Sequence, residues 1–245
     1  MYMSRGKEIF YSSLGQDNIN GWGFNMGEPE FWKHTELFVP KGQLLDLGAG
    51  GFGRSSLPFA IRGMNVTGID NSGNNVELLR TIAKENNLPI DVIEADVRTQ
   101  YLGKNMYDTV LASQVFVHFD SKTDAFNVLE NVVDALKPGG YVWVRAVGKL
   151  DDTYSELEFE EAERVNEDVF MMECGCSGEI KSEPTLFFGQ LELPFFMAKR
   201  GLKIVHTQVM SNVGSKNIMY GEDWDMGQPY DFRHGEVTVI ARKWD

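Results

Sequence analysis

Leu44-Leu45-Asp46-Leu47-Gly48-Ala49-Gly50-Gly51-Phe52-Gly53-Arg54 joins a short apolar run to four glycines in six positions. The apolar run Gln43–Leu47 reads as a strand, and the glycines as a turn that lets backbone approach a ligand closely. Gly53–Gly63 follows with apolar residues at helical spacing, and Asn65–Ile69 is β-branched and alternating. Asn74–Asn86 repeats Val76, Leu79, Ile82 and Ala83 on one helical face. Ile90–Ala95 and Tyr107–Ala112 are strands. Asp120–Leu136 is a helix opened at Asp120 or Ser121 and stopped by Lys137-Pro138-Gly139-Gly140, and Tyr141–Val147 is again a strand. Strands separated by helical stretches make βαβ units, and a parallel sheet covered on both faces. Residues 43–147 are therefore expected to be a doubly wound α/β core.

The flanks break this alternation. Residues 1–40 carry aromatics from Phe10 to Trp32 without a clean period, which predicts helical pieces covering one edge. Residues 150–189 show no strand signal and a dense acidic run, which predicts a lid insertion. Gln190–Arg200 reads as a short helix closed by Gly201. Leu202–Met210 and Glu236–Lys243 read as two final strands, and with no helix between them they form a closing antiparallel hairpin. The whole chain, 1–245, is then one domain, as 245 residues allow.

Composition narrows the function classes. Hydrophobic residues are 42% and charged residues 24%, an ordinary globular profile. The net charge of −13 disfavours a phosphate backbone as partner, so no nucleic acid is expected. No apolar stretch of membrane length and no signal-peptide pattern stands in the sequence, which predicts a cytoplasmic protein without a membrane partner. Two cysteines make no disulfide framework. Oligomeric state is not legible.

Read literally, Gly48-x-Gly50-x-x-Gly53 with Asp70 at the next strand end fits a dinucleotide fingerprint, so a nicotinamide cofactor is an alternative. Two carboxylates move the reading. Asp46 precedes the first glycine, a poor place for an anion beneath a pyrophosphate and a good one beneath an ammonium group. Asp96, in Glu94-Ala95-Asp96-Val97, is placed for an adenine amino group. An anion at the loop, one at the ribose and one at the base describe a positively charged nucleoside without phosphates, S-adenosyl-L-methionine. Each carboxylate also has a plainer reading: Asp46 as a turn cap, Asp70 as a turn residue before Asn71-Ser72-Gly73, and Asp96 as a solvated loop residue.

These segments resemble the class I S-adenosylmethionine-dependent methyltransferases. Asp46-Leu47-Gly48-Ala49-Gly50 is similar to the family's first motif, Gly68-Ile69-Asp70-Asn71-Ser72 to its ribose-binding strand end, and Glu94-Ala95-Asp96-Val97 to its adenine contact. Tyr107–Ser113 and Leu136–Val144 resemble its fourth strand and the turn into its fifth. The resemblance implies a Rossmann-like seven-stranded sheet, mostly parallel with an antiparallel last strand. It implies cofactor contacts at Asp46, Gly48, Ala49, Gly50, Gly53, Asp70, Asn71, Asp96, Val97, Ser113 and Gln114. One departure is Phe52, which stands where the family usually has its third glycine, as a one-residue insertion in the loop would produce.

Methyl transfer from a sulfonium needs alignment more than acid–base help. His118, just after the fourth strand, is the candidate base or positioning residue, with packing beneath the cofactor or capping of the next helix as the alternative. His34, His206 and His234 read as structural. Tyr11 and Trp22 lie in a segment that folds over the cofactor in this family. Asp151–Asp168 holds nine acidic residues against Arg164, and Gly221–Asp231 four against none, so these segments hold most of the excess negative charge. With Tyr154 and Trp224 among them, they suit a cationic amine or a basic peptide as acceptor. The alternative is a solvated helix face. A small-molecule O- or S-acceptor remains open. Cys174-Gly175-Cys176 has no third cysteine, so no metal is expected.

Overall fold

A computed structural model of the chain describes residues 42–149, 164–174, 181–210 and 235–245. Its main sheet has seven strands in the order β3-β2-β1-β4-β5-β10-β9. They are β1 (Gln43–Leu47), β2 (Asn65–Asp70), β3 (Ile90–Glu94), β4 (Tyr107–Ser113), β5 (Leu136–Val147), β9 (Leu202–Met210) and β10 (Glu236–Lys243). The first five pair in parallel, while β10 runs antiparallel to both β5 and β9. The doubly wound core and its antiparallel ending are as the sequence led one to expect.

Alternating residues along each strand feed two separate hydrophobic clusters. Leu44, Leu111, Trp143 and Ile240 face one side, packed with α1 (Ser56–Ile61) and α2 (Gly73–Glu85). Leu45, Val110, Val144 and Val239 face the other, with α3 (Lys122–Ala135) and α4 (Glu192–Lys199). Burial on both faces explains the apolar runs of the central strands β1 and β5. The helix starts follow from side chains: Ser72 Oγ accepts from the Asn75 N–H, and Ser121 Oγ from the Asp124 N–H.

Two expectations are corrected. Residues 150–189 do contain strands: β6 (Arg164–Asn166), β7 (Val169–Cys174) and β8 (Lys181–Leu186) form a second, antiparallel sheet. The acidic composition hid them, and Pro184 suits β8 because that strand lies at an edge. Val169, Leu186 and Phe188 of this region join the core beside α3, and Phe188 exchanges backbone hydrogen bonds with Val147 and Lys149. Second, β5 begins at Leu136, not Tyr141. Leu136 already pairs with Tyr107, and the register shift before Thr109 absorbs Lys137-Pro138-Gly139-Gly140, where Gly139 has φ +74°.

The proposed N-terminal cover lies outside the described residues, as do Tyr11, Trp22, Tyr154 and Trp224. No helix among the described residues is long and apolar enough to cross a membrane.

Candidate functional site

Parallel order carries the ends of β1, β2, β3, β4 and β5 to one edge, with the loops that follow them. The glycine loop leaves β1 at this edge. Gly48 and Ala49 donate their N–H groups to the Ile69 carbonyl, at 2.8 and 3.0 Å, and Gly53 donates to the Gly50 carbonyl. The Gly50 N–H donates to Asp70 Oδ2 at 2.8 Å. These four N–H groups are thus committed within the protein, whereas a pyrophosphate site needs them turned outward. Gly50, at φ +64°, has no atom of the described residues within 4 Å of where a Cβ would lie, so its outer side is open among them.

The other glycines are fixed by packing. A Cβ on Gly53 would meet Leu79 Cδ1 at 2.6 Å, and one on Gly51 would meet Leu78 and Asn75 of α2. Phe52, between them, packs half-buried onto the α1–α2 cluster. The departure at Phe52 therefore buries a ring while the flanking glycines let the loop lie against α2.

Asp70 is a hub. Besides Gly50, it accepts from the Ser72 N–H at 3.0 Å and from Asn75 Nδ2 at 3.2 Å, both on Oδ1. Asn71 beside it is exposed. Asp46 is 1% exposed beneath the loop and accepts from Ser56 Oγ at 2.6 Å. Burial pushes its carboxyl up to about 7, and the Asp70 charge adds to this, against the Ser56 hydrogen bond and the Arg54 charge. Asp96 follows β3 and is gripped by Arg98 through Nε and Nη2, at 3.0 and 2.6 Å. These hydrogen bonds hold its carboxyl below the usual range. Arg98 also reaches Asp120 at 3.6 Å, and Val97 is buried. Ser113 ends β4, and His118 is exposed at the close of the 3-10 turn Phe116–His118.

Asp168 departs from the sequence reading of an acidic substrate surface. It sits in a nearly dry network with Lys122 and Lys149, at 2.7 and 2.6 Å, and Lys122 also meets Glu192. Burial works against its ionisation, but the two lysines hold it below the usual range. This carboxylate joins the second sheet to α3 and β5.

Sequence reading missed the polar groups on the far half of the edge. Arg145 and Glu236 form an ion pair at 2.5 Å with side chains 9% and 8% exposed. Gln114 Nε2 donates to Glu236 Oε1 at 2.7 Å, and the Gln114 N–H to the Arg145 carbonyl at 2.9 Å. Gln114 holds a left-handed backbone, φ +57°, and its buried Oε1 has no hydrogen-bond partner among the described residues. The available signal was the guanidinium in the apolar strand Tyr141-Val142-Trp143-Val144-Arg145-Ala146-Val147, since a buried charge requires a partner. The open side of Gly50 and the carboxylates at Asp46 and Asp70 suit a cationic nucleoside with hydrogen-bonding groups.

A family model described as a methyltransferase domain matches residues 45–144. The ubiquinone biosynthesis O-methyltransferase of Rickettsia akari is 30% identical over 122 residues, covering 50% of this chain and 47% of that protein. TehB of Haemophilus influenzae, named a probable S-adenosyl-L-methionine-dependent methyltransferase, is 29% identical over 117 residues, 48% of this chain and 40% of its own. The chain thus spans about half the length of the curated relatives it matches. Among solved structures, a methyltransferase from Methanosarcina mazei superposes with a TM-score of 0.66 at 18% identity, covering 89% of this chain and 98% of that one. At that identity the likeness speaks for the fold.

Proposed function

From the premise that this chain carries a class I S-adenosylmethionine-dependent methyltransferase domain, we propose that it transfers that cofactor's methyl group to an oxygen atom of a small molecule. The observation that carries the cofactor half is the glycine loop itself. Its N–H groups bond inward and carboxylates stand beneath and beside it, an arrangement hostile to phosphate and favourable to a cation. Likeness to the ubiquinone biosynthesis O-methyltransferase of Rickettsia akari supports the oxygen acceptor.

In this reading Asp70 takes the ribose hydroxyls, with Gly50, Ser72 and Asn75 fixing its carboxylate. Asp96 and Val97 hold the adenine, with Asn71 at the rim. Gly48, Ala49, Gly50 and Gly53 shape the loop, and Ser113 lies beside it. Asp46, sealed under the loop by Ser56, acts on the ammonium through its charge rather than as an exposed contact. When bound, the cofactor supplies a methyl group on a sulfonium that is already an activated leaving group. The chain's own task is then alignment, worth up to about 7–11 kcal/mol in well-oriented reactions. His118, exposed at the same edge, is placed to pass the acceptor's proton to water.

A second reading, a cationic amine as acceptor, draws support from the eight acidic residues of Asp151–Asp168 other than Asp168 itself. A labelled-methyl screen over phenols, amines, thiols and basic peptides separates the two. Turnover of hydroxyl compounds that is insensitive to salt supports the first. Turnover confined to amines and falling as salt rises replaces it with the second.

A further inference from the structure

We infer that Gln114 receives the acceptor's hydroxyl group, and that Arg145 and Glu236 are positioning residues that set its amide for that contact. The inference rests on the oxygen-acceptor reading above and gives that reading a specific atom.

A carboxylate only accepts, so Glu236 takes the Gln114 N–H on Oε1 and the Arg145 Nη2–H on Oε2. Turning the Gln114 amide over would set its oxygen against a carboxylate oxygen. Glu236, itself pinned by Arg145, therefore fixes which end of the amide faces away, and that end is the carbonyl. Oε1 is buried and has no hydrogen-bond partner among the described residues. The backbone is committed as well: Gln114 holds φ +57°, a region non-glycine residues rarely adopt, with its N–H on the Arg145 carbonyl. A strained backbone, a buried ion pair and an oriented amide converge on one unpaired acceptor atom at the ligand edge.

Position says which ligand group meets it. Neighbouring strands are about 4.8 Å apart. The Gln114 amide reaches from β4 across β5 to the first residue of β10, whereas Asp46 lies on β1, on the opposite side of β4. By strand parity Asp46, Arg145 and Glu236 all belong to the face carrying Leu44, Trp143 and Ile240. One row thus has an anion for the cofactor's ammonium at one end and a carbonyl for a different donor further along.

A carbonyl is no base. It accepts the hydroxyl's hydrogen bond and so aims an oxygen lone pair. As the new O–CH3 bond forms and the S–CH3 bond breaks, the hydroxyl proton leaves to water. That arrangement favours a hydroxyl that is acidic by itself, such as a phenol with a pKa of about 10.

The test is binding of phenol, and of anisole as the same ring without a donor, to the full chain saturated with S-adenosylhomocysteine. Wild type is expected to bind phenol at least tenfold more tightly than anisole. Gln114→Met keeps side-chain length and removes the carbonyl, and should abolish that preference, with saturation by S-adenosylhomocysteine established separately for each variant. Glu236→Gln frees the amide to turn over and should shrink the preference with Gln114 intact. This second variant covers the case in which Gln114→Met fails to fold. Equal binding of phenol and anisole by wild type, or a preference retained in both variants, overturns the inference. Failure of wild type to bind S-adenosylhomocysteine overturns the underlying reading instead, so the two failures are distinguishable.

Discussion

The two halves of the ligand edge are built on different principles. Around β1, β2 and β3 the polar contacts are local in sequence: Asp46 meets Ser56 ten residues on, Asp70 meets Gly50 twenty residues back, and Asp96 meets Arg98 two residues on. Around β4, β5 and β10 they are distant, with Arg145 and Glu236 separated by 91 residues and Gln114 and Glu236 by 122. A site for a common cofactor is encoded in one compact stretch of chain. The far half is assembled only when the sheet closes. In energetic terms, the first half contributes mostly to binding, and the second to stability as well.

Glu236→Ala should show the largest effect, because it leaves Arg145 in a buried position without its carboxylate. A loss of about 3–5 kcal/mol is expected in denaturant unfolding. Replacing both partners, Arg145→Met with Glu236→Leu, should cost clearly less than the single change. A smaller loss in the single variant would mean that the far half is not held by this pair.

Asp70→Ala belongs to the near half and should act on the ligand. Removing an acceptor shared by Gly50, Ser72 and Asn75 should weaken S-adenosylhomocysteine on the order of a hundredfold by calorimetry. Unchanged affinity would sink the ribose assignment.

Two glycines of the loop separate folding from binding within that half. Gly53→Ala presses a methyl group onto Leu79 at φ +54° and should cost about 1–3 kcal/mol of stability. Gly50→Ala meets open space, so its cost is the backbone strain alone, about 1 kcal/mol, and its main effect should be weaker cofactor binding. Thermal melts with and without S-adenosylhomocysteine check both, and the reverse pattern would contradict the open cradle.

The last effect is with pH. Asp46 titrates near 7 in the folded chain, against 3.8 for an ordinary carboxyl, so the folded state holds an extra proton between those values. The contribution of Asp46 to the stability of the unliganded protein is full below about 4 and is lost as pH rises through about 7. Cofactor affinity runs the other way, because the ammonium prefers the ionised form. It should fall by less than tenfold per unit as pH drops below 7. Asp46→Asn should flatten both slopes, and parallel slopes in wild type would refute the coupling.

The sequence was most legible where contacts are short-range. Val76, Leu79, Ile82 and Ala83 announced α2, and Asp46, Asp70 and Asp96 announced the ligand before any strand was paired. It was silent where partners are remote. Nothing in Glu236 identifies Arg145 as its counter-ion, and nothing in Asp168 says that Lys122 and Lys149 neutralise it. The second sheet went unseen because Val169–Cys174 and Lys181–Leu186 are short and bordered by acids or proline, and are stabilised by packing Val169, Leu186 and Phe188 on the core.

The central claim is that this glycine loop is built for a cationic nucleoside and not for a pyrophosphate. Calorimetric titration of the full chain with S-adenosylhomocysteine and, separately, with NADH tests it most directly. The account expects saturable one-to-one heat with the first and none with the second. Binding of NADH, with no heat from S-adenosylhomocysteine, would contradict it.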